Sequence, residues 1–188
     1  MRLVVAVTGA SGIVLAVRLL QQLRAHEVHL ILTASARHIL RYELGDVELP
    51  ATHRYDETDI GAPIASSSFQ VDAMAVVPCS MKSLAAIAHG YTENLVSRAA
   101  DIALRMKRRL VLVPRETPLS LPAIENMRLA CLAGAVILPP SMAYYHHPES
   151  IAEVTEFFVG KVMDAIGLPH ALYRRWAGLP EFAEGREV

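Results

Sequence analysis

Four short runs of the sequence combine residue types that bind anions or move protons. They are Thr8-Gly9-Ala10-Ser11-Gly12, Cys79-Ser80-Met81-Lys82-Ser83, Arg115-Glu116-Thr117-Pro118 and Tyr144-Tyr145-His146-His147. Glycine lets the backbone approach a ligand closely, and a helix N-terminus offers free N–H groups and a positive dipole to an anion. The runs therefore predict an anion-binding or nucleotide-binding site.

The glycine-containing run at 8–12 matches neither of two familiar phosphate motifs. It lacks the GxGxxG spacing of dinucleotide-binding folds and the GxxxxGK[ST] pattern of the P-loop. A tight structural turn therefore explains it as well as a phosphate or flavin site does. The hydroxyls of Ser66-Ser67-Ser68 and of Ser80 and Ser83 are also explained by helix capping, which is favoured for either run alone.

A basic cluster lies between positions 98 and 115. It contains six of the 18 lysines and arginines, namely Arg98, Arg105, Lys107, Arg108, Arg109 and Arg115. A solvated helix face explains most of them. However, the seven-residue spacing of Arg98 and Arg105 places both on one face of a helix. Arg115 directly follows an apolar run, where a charged residue favours ligand binding. By contrast, the adjacent His146 and His147 lack the spacing of a metal site.

Short apolar segments alternate with helical segments along the chain. The predicted strands are 3–7, 28–32, 73–77, 110–113 and 135–138, and the predicted helices are 13–25, 35–42, 81–88, 95–107, 121–133 and 151–166. Residues 44–64 form a polar stretch with no predicted strand. This order predicts an α/β fold with a doubly wound, mostly parallel sheet, a flavodoxin-like or Rossmann-like three-layer single domain. We expect the domain to span 1–177 and residues 178–188 to form a mobile tail.

Composition excludes several classes of protein. The chain has 188 residues, 53% of them hydrophobic, and a formal net charge of −1. These values argue against disorder and against general nucleic-acid binding. The sequence contains no uninterrupted apolar stretch of ~18 residues, so we expect no membrane span. Cys79 and Cys131 are too few for a disulfide framework, and we expect both to be buried thiols in a cytoplasmic protein. The high apolar content favours burial in an oligomer.

Taken together, these runs resemble one family. VTGASG (7–12), PCSMKSL (78–84), SRAADIAL (97–104), LVLVPRETPLSL (110–121), YYHHPES (144–150) and RRWAGLP (174–180) stand in the order and spacing of the UbiX-type flavin prenyltransferases. That family includes the small subunits that accompany hydroxyarylic and phenylacrylic acid decarboxylases. The resemblance implies transfer of a dimethylallyl group from dimethylallyl phosphate to reduced FMN, without a metal. It also implies a homo-oligomer, typically a dodecamer with sites at subunit interfaces, whose prenylated FMN passes to a UbiD-type decarboxylase.

The resemblance also implies roles for individual residues. The positions that match FMN contacts are Gly9, Ala10, Ser11, Thr33, Ser80, Met81, Lys82, Ser83 and Arg115. The positions that match the prenyl-phosphate group are Arg98, Arg105, Glu116, Tyr145 and Lys161. Ser11, Glu43 and Glu116 match the catalytic groups that move protons, and Trp176 matches an aromatic residue near the site. Such cations and a phenol can stabilise a leaving phosphate, and a carboxylate can take a proton.

Several positions depart from the family pattern. The family has lysine at the position of Arg105 and arginine at that of Lys161, so the two cations are exchanged. Leu15, Ala16 and Ser67 also replace a usual tyrosine, glycine and glycine, whereas Thr33 keeps the hydroxyl of a usual serine. Arginine is a planar fork and lysine a point charge, so the exchange can alter rate or donor preference.

Two other functions stay open from the sequence. One is an FMN-binding decarboxylase-associated subunit without transfer activity, suggested by the exchanged cations. The other is a flavin-containing cysteine decarboxylase of the same fold. The sequence lacks the Pro-x-Met-Asn run and the catalytic histidine context of those decarboxylases, which argues against the second alternative.

Overall fold

The computed structural model describes residues 1–178, so all but the first residue of the predicted tail at 178–188 lies outside the described residues. The strands are β1 (Arg2–Val7), β2 (Glu27–Leu32), β3 (His53–Asp56), β4 (Ala73–Cys79), β5 (Arg109–Pro114) and β6 (Val136–Ile137). The helices are α1 (Ile13–Gln22), α2 (Ala34–Leu44), α3 (Met81–Ala88), α4 (Leu95–Arg105), α5 (Leu121–Leu132) and α6 (Ile151–Ile166), with a 3-10 turn at Pro63–Ala65. Among residues 1–178, no helix has the length and apolar character needed to cross a membrane.

The strands form one sheet in the order β3-β2-β1-β4-β5-β6. All five neighbouring pairs are parallel, which confirms the predicted doubly wound fold. The chain winds outward from β1 in one direction through β2 and β3, and in the other through β4 to β6. The strand order therefore reverses beside β1, and such a switch point opens a crevice at the carboxyl ends of the strands.

Helices cover both faces of the sheet. Leu3, Val5 and Val7 of β1 pack in the same buried cluster as residues of α1, α2 and α6. Val4 and Ala6 pack in a second cluster with residues of α3, α4 and α5. Successive strand side chains point to opposite faces, so the apolar run of β1 contributes to both clusters. As a result, α4 and α6 lie on opposite faces of the sheet.

The structure differs from the predictions at one strand that was not predicted, one predicted strand and one cysteine. The polar stretch at 44–64 contains β3, an edge strand of sequence HRYD that is mostly exposed and therefore lacks an apolar pattern. The predicted strand 135–138 shrinks to the two residues of β6. Cys79 is buried as expected, but Cys131 is exposed because α5 turns only small side chains such as Ala123 and Ala130 inward.

Five helices begin at a side chain that caps them. Each capping oxygen accepts a hydrogen bond from the backbone N–H three residues later; the caps are Thr33, Ser80, Asn94, Ser120 and Ser150. Such caps satisfy N–H groups that the helix itself leaves free. The exception is α1, which begins at Gly12 in the left-handed region, with φ of 94° and no cap from its own side chain.

Candidate functional site

A cleft of about 280 Å³ lies where the strand order reverses. It is lined by Thr8, Gly9, Thr33, Ser35, Glu57, Ser80, Met81, Lys82 and Ser83. Six of these are predicted flavin contacts. Thr8, Ser35 and Glu57 also line the cleft, although none of them is among the predicted flavin contacts. Thr8 directly precedes the predicted contact Gly9, and Ser35 lies two residues after the predicted contact Thr33, which is the signal that could have identified them.

Thr8 joins the ends of β1 and β4. Its side chain is buried, and its hydroxyl donates to the carbonyl of Pro78 at 2.9 Å. The same oxygen accepts from the backbone N–H of Ser80 at 2.8 Å. The two loops that form the floor of the cleft are therefore held in a fixed relation by one hydroxyl.

The start of α3 forms the polar wall of the cleft. Ser80 Oγ accepts from the Ser83 N–H at 3.3 Å and lies 3.1 Å from Ser83 Oγ. Lys82 is exposed in the first turn of this helix. The free N–H groups, the helix dipole and the ammonium all favour an anion here. Cys79 is fully buried and its pKa is raised to about 12, so its thiol stays protonated and is no nucleophile at neutral pH.

Gly9 is required by the close approach of two loops. A Cβ added at Gly9 would lie 2.7 Å from the Cβ of Ser35 and would also clash with its hydroxyl oxygen. Ser35 Oγ lies 3.2 Å from the hydroxyl of Thr33, which itself caps α2 by accepting from the Ala36 N–H at 3.2 Å. The absent side chain at position 9 therefore leaves room for the start of α2 beside the cleft.

Glu57 connects the cleft to two helix starts. One of its carboxylate oxygens accepts from the Ala34 N–H at 2.8 Å, and its backbone carbonyl accepts from the Leu95 N–H at 2.8 Å. Its other oxygen lies 3.4 Å from the side-chain amide of Asn94. Glu57 follows β3, the strand that the sequence did not predict, and so its position at the sheet edge was not visible from the sequence.

Glu43 lies behind the glycine loop. Its carboxylate accepts from the backbone N–H groups of Gly12 and Ile13, each at 3.1 Å. It therefore supplies the cap that Gly12 lacks and fixes the loop that carries Ala10 and the exposed Ser11. This contact is a positioning role, in addition to the proton role implied by the resemblance.

Arg115 and Glu116 leave the carboxyl end of β5, beside the loop that follows β4. The Arg115 backbone N–H donates to the carbonyl of Cys79 at 3.4 Å. Its side-chain Nε is buried and has no hydrogen-bond partner within residues 1–178. A buried donor without an acceptor is costly, so this nitrogen suits an oxygen atom of a bound ligand. Glu116 is exposed, with one carboxylate oxygen 3.0 Å from the Thr117 N–H.

The two arginines of α4 are bound to one carboxylate. Arg105 Nε lies 2.8 Å from the Asp101 carboxylate, and Arg98 Nη1 lies 4.0 Å from the same oxygen. Arg98 Nε also donates to the carbonyl of Ala65 at 3.1 Å, next to the serine run at 66–68. The side chains of Arg98 and Arg105 remain 39% and 50% exposed, so each can still donate to an anion.

The remaining predicted phosphate residues, Lys161 of α6 and Tyr145 of the preceding loop, both pack near Phe157 of α6. Lys161 Nζ lies 5.3 Å from the ring centre of Phe157 and 5.1 Å from that of Tyr173. Tyr145 contacts Phe157 edge to face at 6.1 Å, and Trp176 contacts Tyr145 in the same way at 5.5 Å. The structure therefore brings Lys161, Tyr145 and Trp176 into one aromatic group.

Within one chain, the two cationic groups do not meet. Arg98 and Arg105 lie on α4, and Lys161 lies on α6, with the sheet between the two helices. Arg105 is also the last residue of α4 and lies four residues before the start of β5, near the end of the sheet opposite the cleft. A single phosphate bound by both groups therefore requires two subunits.

The fold and the cleft define an α/β nucleotide-binding protein, and comparison with known proteins specifies its class. The Flavoprotein family model matches residues 1–163. A mitochondrial flavin prenyltransferase of Saccharomyces cerevisiae is 46% identical over 95% of this chain and 76% of its own length. The UbiX flavin prenyltransferase of Methanocaldococcus jannaschii is 42% identical over 94% of this chain and 98% of its own length. The chain belongs to the Flavoprotein family and, within it, to the UbiX-type flavin prenyltransferases.

Solved structures agree with this assignment. A dodecameric FMN-dependent UbiX-like decarboxylase from Escherichia coli O157:H7 superposes with a TM-score of 0.90 at 43% identity, covering 95% of this chain and 100% of that one. A UbiX protein in complex with FMN and dimethylallyl pyrophosphate gives 0.91 at 42% identity, over 95% and 98% of the two chains. The cysteine decarboxylase SpaF gives 0.60 at 19% identity, over 74% and 83%, which shows only a shared fold.

Proposed function

We propose that this flavin prenyltransferase transfers a dimethylallyl group from dimethylallyl phosphate to reduced FMN, using the cleft beside β1. The observation that carries the proposal is the polar start of α3 at the switch point of the sheet. Beside it, at the end of β5, the buried Arg115 Nε has no hydrogen-bond partner among residues 1–178. Flavin prenyltransferase is also the name of the two relatives with 46% and 42% identity described above.

The residues of the cleft fit FMN. We assign the flavin phosphate to Ser80, Ser83 and Lys82, because hydroxyls, helix N–H groups and an ammonium converge there. The glycine loop and Thr33 form the opposite wall, and Arg115 Nε faces the flavin as a donor. Bound reduced FMN supplies the electron-rich ring that accepts the prenyl group.

The prenyl phosphate requires residues of two subunits in this proposal. Arg98 and Arg105 of one subunit bind the phosphate from one side, and Lys161 and Tyr145 of a neighbouring subunit bind it from the other. Their charges and the phenol stabilise the negative charge that develops on the leaving phosphate. Trp176 and the aromatic group around Phe157 keep water away from the allylic carbon.

Proton movement is assigned to the carboxylates beside these groups. Glu116 follows Arg115 directly and is exposed at the cleft end of β5, so it accepts the proton displaced when the flavin carbon is alkylated. Ser11 is the exposed hydroxyl of the glycine loop and relays protons. Glu43 acts through that loop, since both of its oxygens are bound to backbone N–H groups.

The proposal also includes the oligomeric state of the protein and the enzyme that receives its product. We propose a homo-oligomer in the cytoplasm, of dodecameric size as in the Escherichia coli relative, which hands prenylated FMN to a UbiD-type decarboxylase. The exposed apolar side chains of α5, including Leu121 and Leu132, are consistent with burial between subunits. Residues 1–177 form the catalytic domain in this proposal.

The test is transfer itself. The purified protein is incubated anaerobically with reduced FMN and dimethylallyl phosphate. The flavin is then extracted and its molecular mass is measured. A mass gain of one prenyl group is expected, whereas the same mixture without donor should return unchanged FMN. Stoichiometric FMN binding with no mass gain would instead support a flavin-binding subunit without transfer activity. Dimethylallyl pyrophosphate in a parallel sample identifies the preferred donor.

A further inference from the structure

Three metal-ligating side chains meet on β2 and β3, away from the cleft. His29 Nε2 lies 3.1 Å from a carboxylate oxygen of Glu27, and His53 Nε2 lies 3.7 Å from the same oxygen. All three ligand atoms lie within 4.8 Å of one another. The two imidazoles are stacked, with ring centres 4.5 Å apart.

The register of the sheet creates this group. His29 is paired directly with His53 across the parallel β2–β3 ladder, so both side chains stand on the same face. Glu27 lies two residues before His29 on β2 and therefore points to that face as well. Three ligands thus converge because of strand pairing, with no sequence motif to reveal them.

Neighbouring side chains orient two of the three ligands. The Nδ1 of His29 lies 3.0 Å from the hydroxyl of Tyr55, which leaves Nε2 directed at Glu27. The second oxygen of Glu27 lies 2.9 Å from Arg2 Nε, which turns its first oxygen toward the histidines. Metal-binding histidines and carboxylates are commonly held by such partners on the side away from the ion.

The chemistry and spacing fit a borderline divalent ion. Two imidazole nitrogens and one carboxylate oxygen, with water in the fourth position, form a known zinc ligand set. Ligands at ~2.0–2.2 Å from a tetrahedral ion lie roughly 3.3–3.6 Å apart, close to the two separations from the Glu27 oxygen.

The site is open to solvent on one side. The His29 side chain is 2% exposed, whereas those of Glu27 and His53 are 35% and 47% exposed. An ion can therefore enter past the half-exposed His53 and can keep a bound water. The buried His29 supplies the fixed ligand.

We propose that Glu27, His29 and His53 bind one divalent cation of the zinc class, which fastens the edge strand β3 to β2. The strand β3 is polar and has a single neighbour in the sheet, so its side chains contribute little apolar burial. A cation bound by residues of both strands would stabilise the pairing of β3 with β2 in place of apolar burial. The site is separate from the cleft, and prenyl transfer does not depend on it.

The experiment measures zinc binding to the chelator-treated full-length protein by calorimetry. We expect one equivalent of Zn²⁺ per chain at micromolar concentration, and no heat with Mg²⁺. His53→Gln should weaken zinc binding at least tenfold, because it removes a ligand, and loss of even a residue that only supports a ligand typically costs about 10–100-fold in affinity. His38→Gln is the matched control, because His38 is exposed on α2, and it should bind zinc as the parent does.

Thermal unfolding gives a second measurement. Zinc should raise the unfolding midpoint of the parent and of His38→Gln, but not that of His53→Gln, since only binding to the folded state stabilises it. FMN binding of each variant checks that it is folded. The proposal is overturned if the parent binds no Zn²⁺ at micromolar concentration, or if His53→Gln binds it as tightly as His38→Gln does.

Discussion

Both carboxylate oxygens of Glu43 lie 3.1 Å from the backbone nitrogen of Gly12. Gly12 adopts a left-handed conformation and begins α1 without a side-chain cap of its own. A residue of α2 therefore completes the start of α1 and fixes the loop beside the cleft. Loss of this contact should therefore affect both the stability of the protein and ligand binding in the cleft.

Replacement of Glu43 should separate the two roles. Glu43→Ala removes the cap and should lower the free energy of unfolding by about 1 kcal/mol, the usual value for a lost N-cap, and weaken FMN binding. Glu43→Gln keeps a carbonyl acceptor and should retain most of both properties. Denaturant unfolding and calorimetry measure them. If Glu43→Gln binds FMN normally but transfers slowly, the residue also moves a proton.

Gly9→Ala should weaken FMN binding through Ser35. The added methyl group clashes with the Ser35 side chain. Overpacking of this kind lowers the free energy of unfolding by about 1–3 kcal/mol. The double variant Gly9→Ala with Ser35→Gly removes the obstructing atoms and should recover part of the FMN affinity. Equal affinity of the single variant and the parent would show that the loop moves aside without effect.

Glu116→Gln should leave FMN binding unchanged and slow prenyl transfer by ~10²–10⁴-fold, the range expected when a general base is lost. The amide has the same shape but cannot take a proton at neutral pH. Calorimetry with FMN and single-turnover transfer measure the two properties. A variant as fast as the parent would assign Glu116 a structural role beside Arg115.

The opposite positions of Arg105 and Lys161 predict complementation between subunits. Arg105→Ala and Lys161→Ala should each lose transfer, but in mixed oligomers about a quarter of the sites regain both residues if neighbouring subunits assort randomly. Activity should then return on mixing during assembly. If the mixed oligomers are as inactive as oligomers of either single variant, the phosphate site is not shared by two subunits.

A double-mutant cycle examines the exchanged cations themselves. Arg105→Lys and Lys161→Arg should each reduce kcat/KM for dimethylallyl phosphate, and the double variant should recover activity relative to both. Residues that share a partner show coupling of about 0.5–3 kcal/mol. Strictly additive effects would mean that the two side chains do not contact one ligand.

Asp164 should stabilise the fold until the solution becomes strongly acidic. It accepts hydrogen bonds from Arg175 at 2.7 Å and from the Tyr173 hydroxyl at 2.6 Å, and its pKa is lowered from 3.8 to about 2. A carboxyl whose pKa is lower in the folded state stabilises above its unfolded pKa, and that contribution is lost as pH falls through the folded pKa.

Asp164→Asn should therefore be less stable than the parent by about 1 kcal/mol at neutral pH, a value reduced for partial solvent exposure. The difference should shrink as pH falls from about 4 to about 2. Urea unfolding across that range is the measurement. A difference that stays constant with pH would mean that the side-chain hydrogen bonds, and not the charge, stabilise this segment.

The sequence by itself determined most of the fold. The apolar runs of β1, β4 and β5 are buried on both faces of a parallel sheet, and such strands are visible as continuous hydrophobic segments. Hydroxyl and glycine residues directly after these strands indicated where the cleft would open. The strand β3 was missed because an edge strand is largely exposed and carries no apolar pattern.

Only the tertiary structure decided which distant residues meet. The Glu43 contact with Gly12, the place of Glu57 in the cleft and the convergence of His29 with His53 all follow from helix packing and strand register. Register and packing depend on the sum of many weak contacts over the whole chain, which no local spacing encodes. For the same reason, only the layered fold shows that Arg105 and Lys161 lie on opposite faces of the sheet.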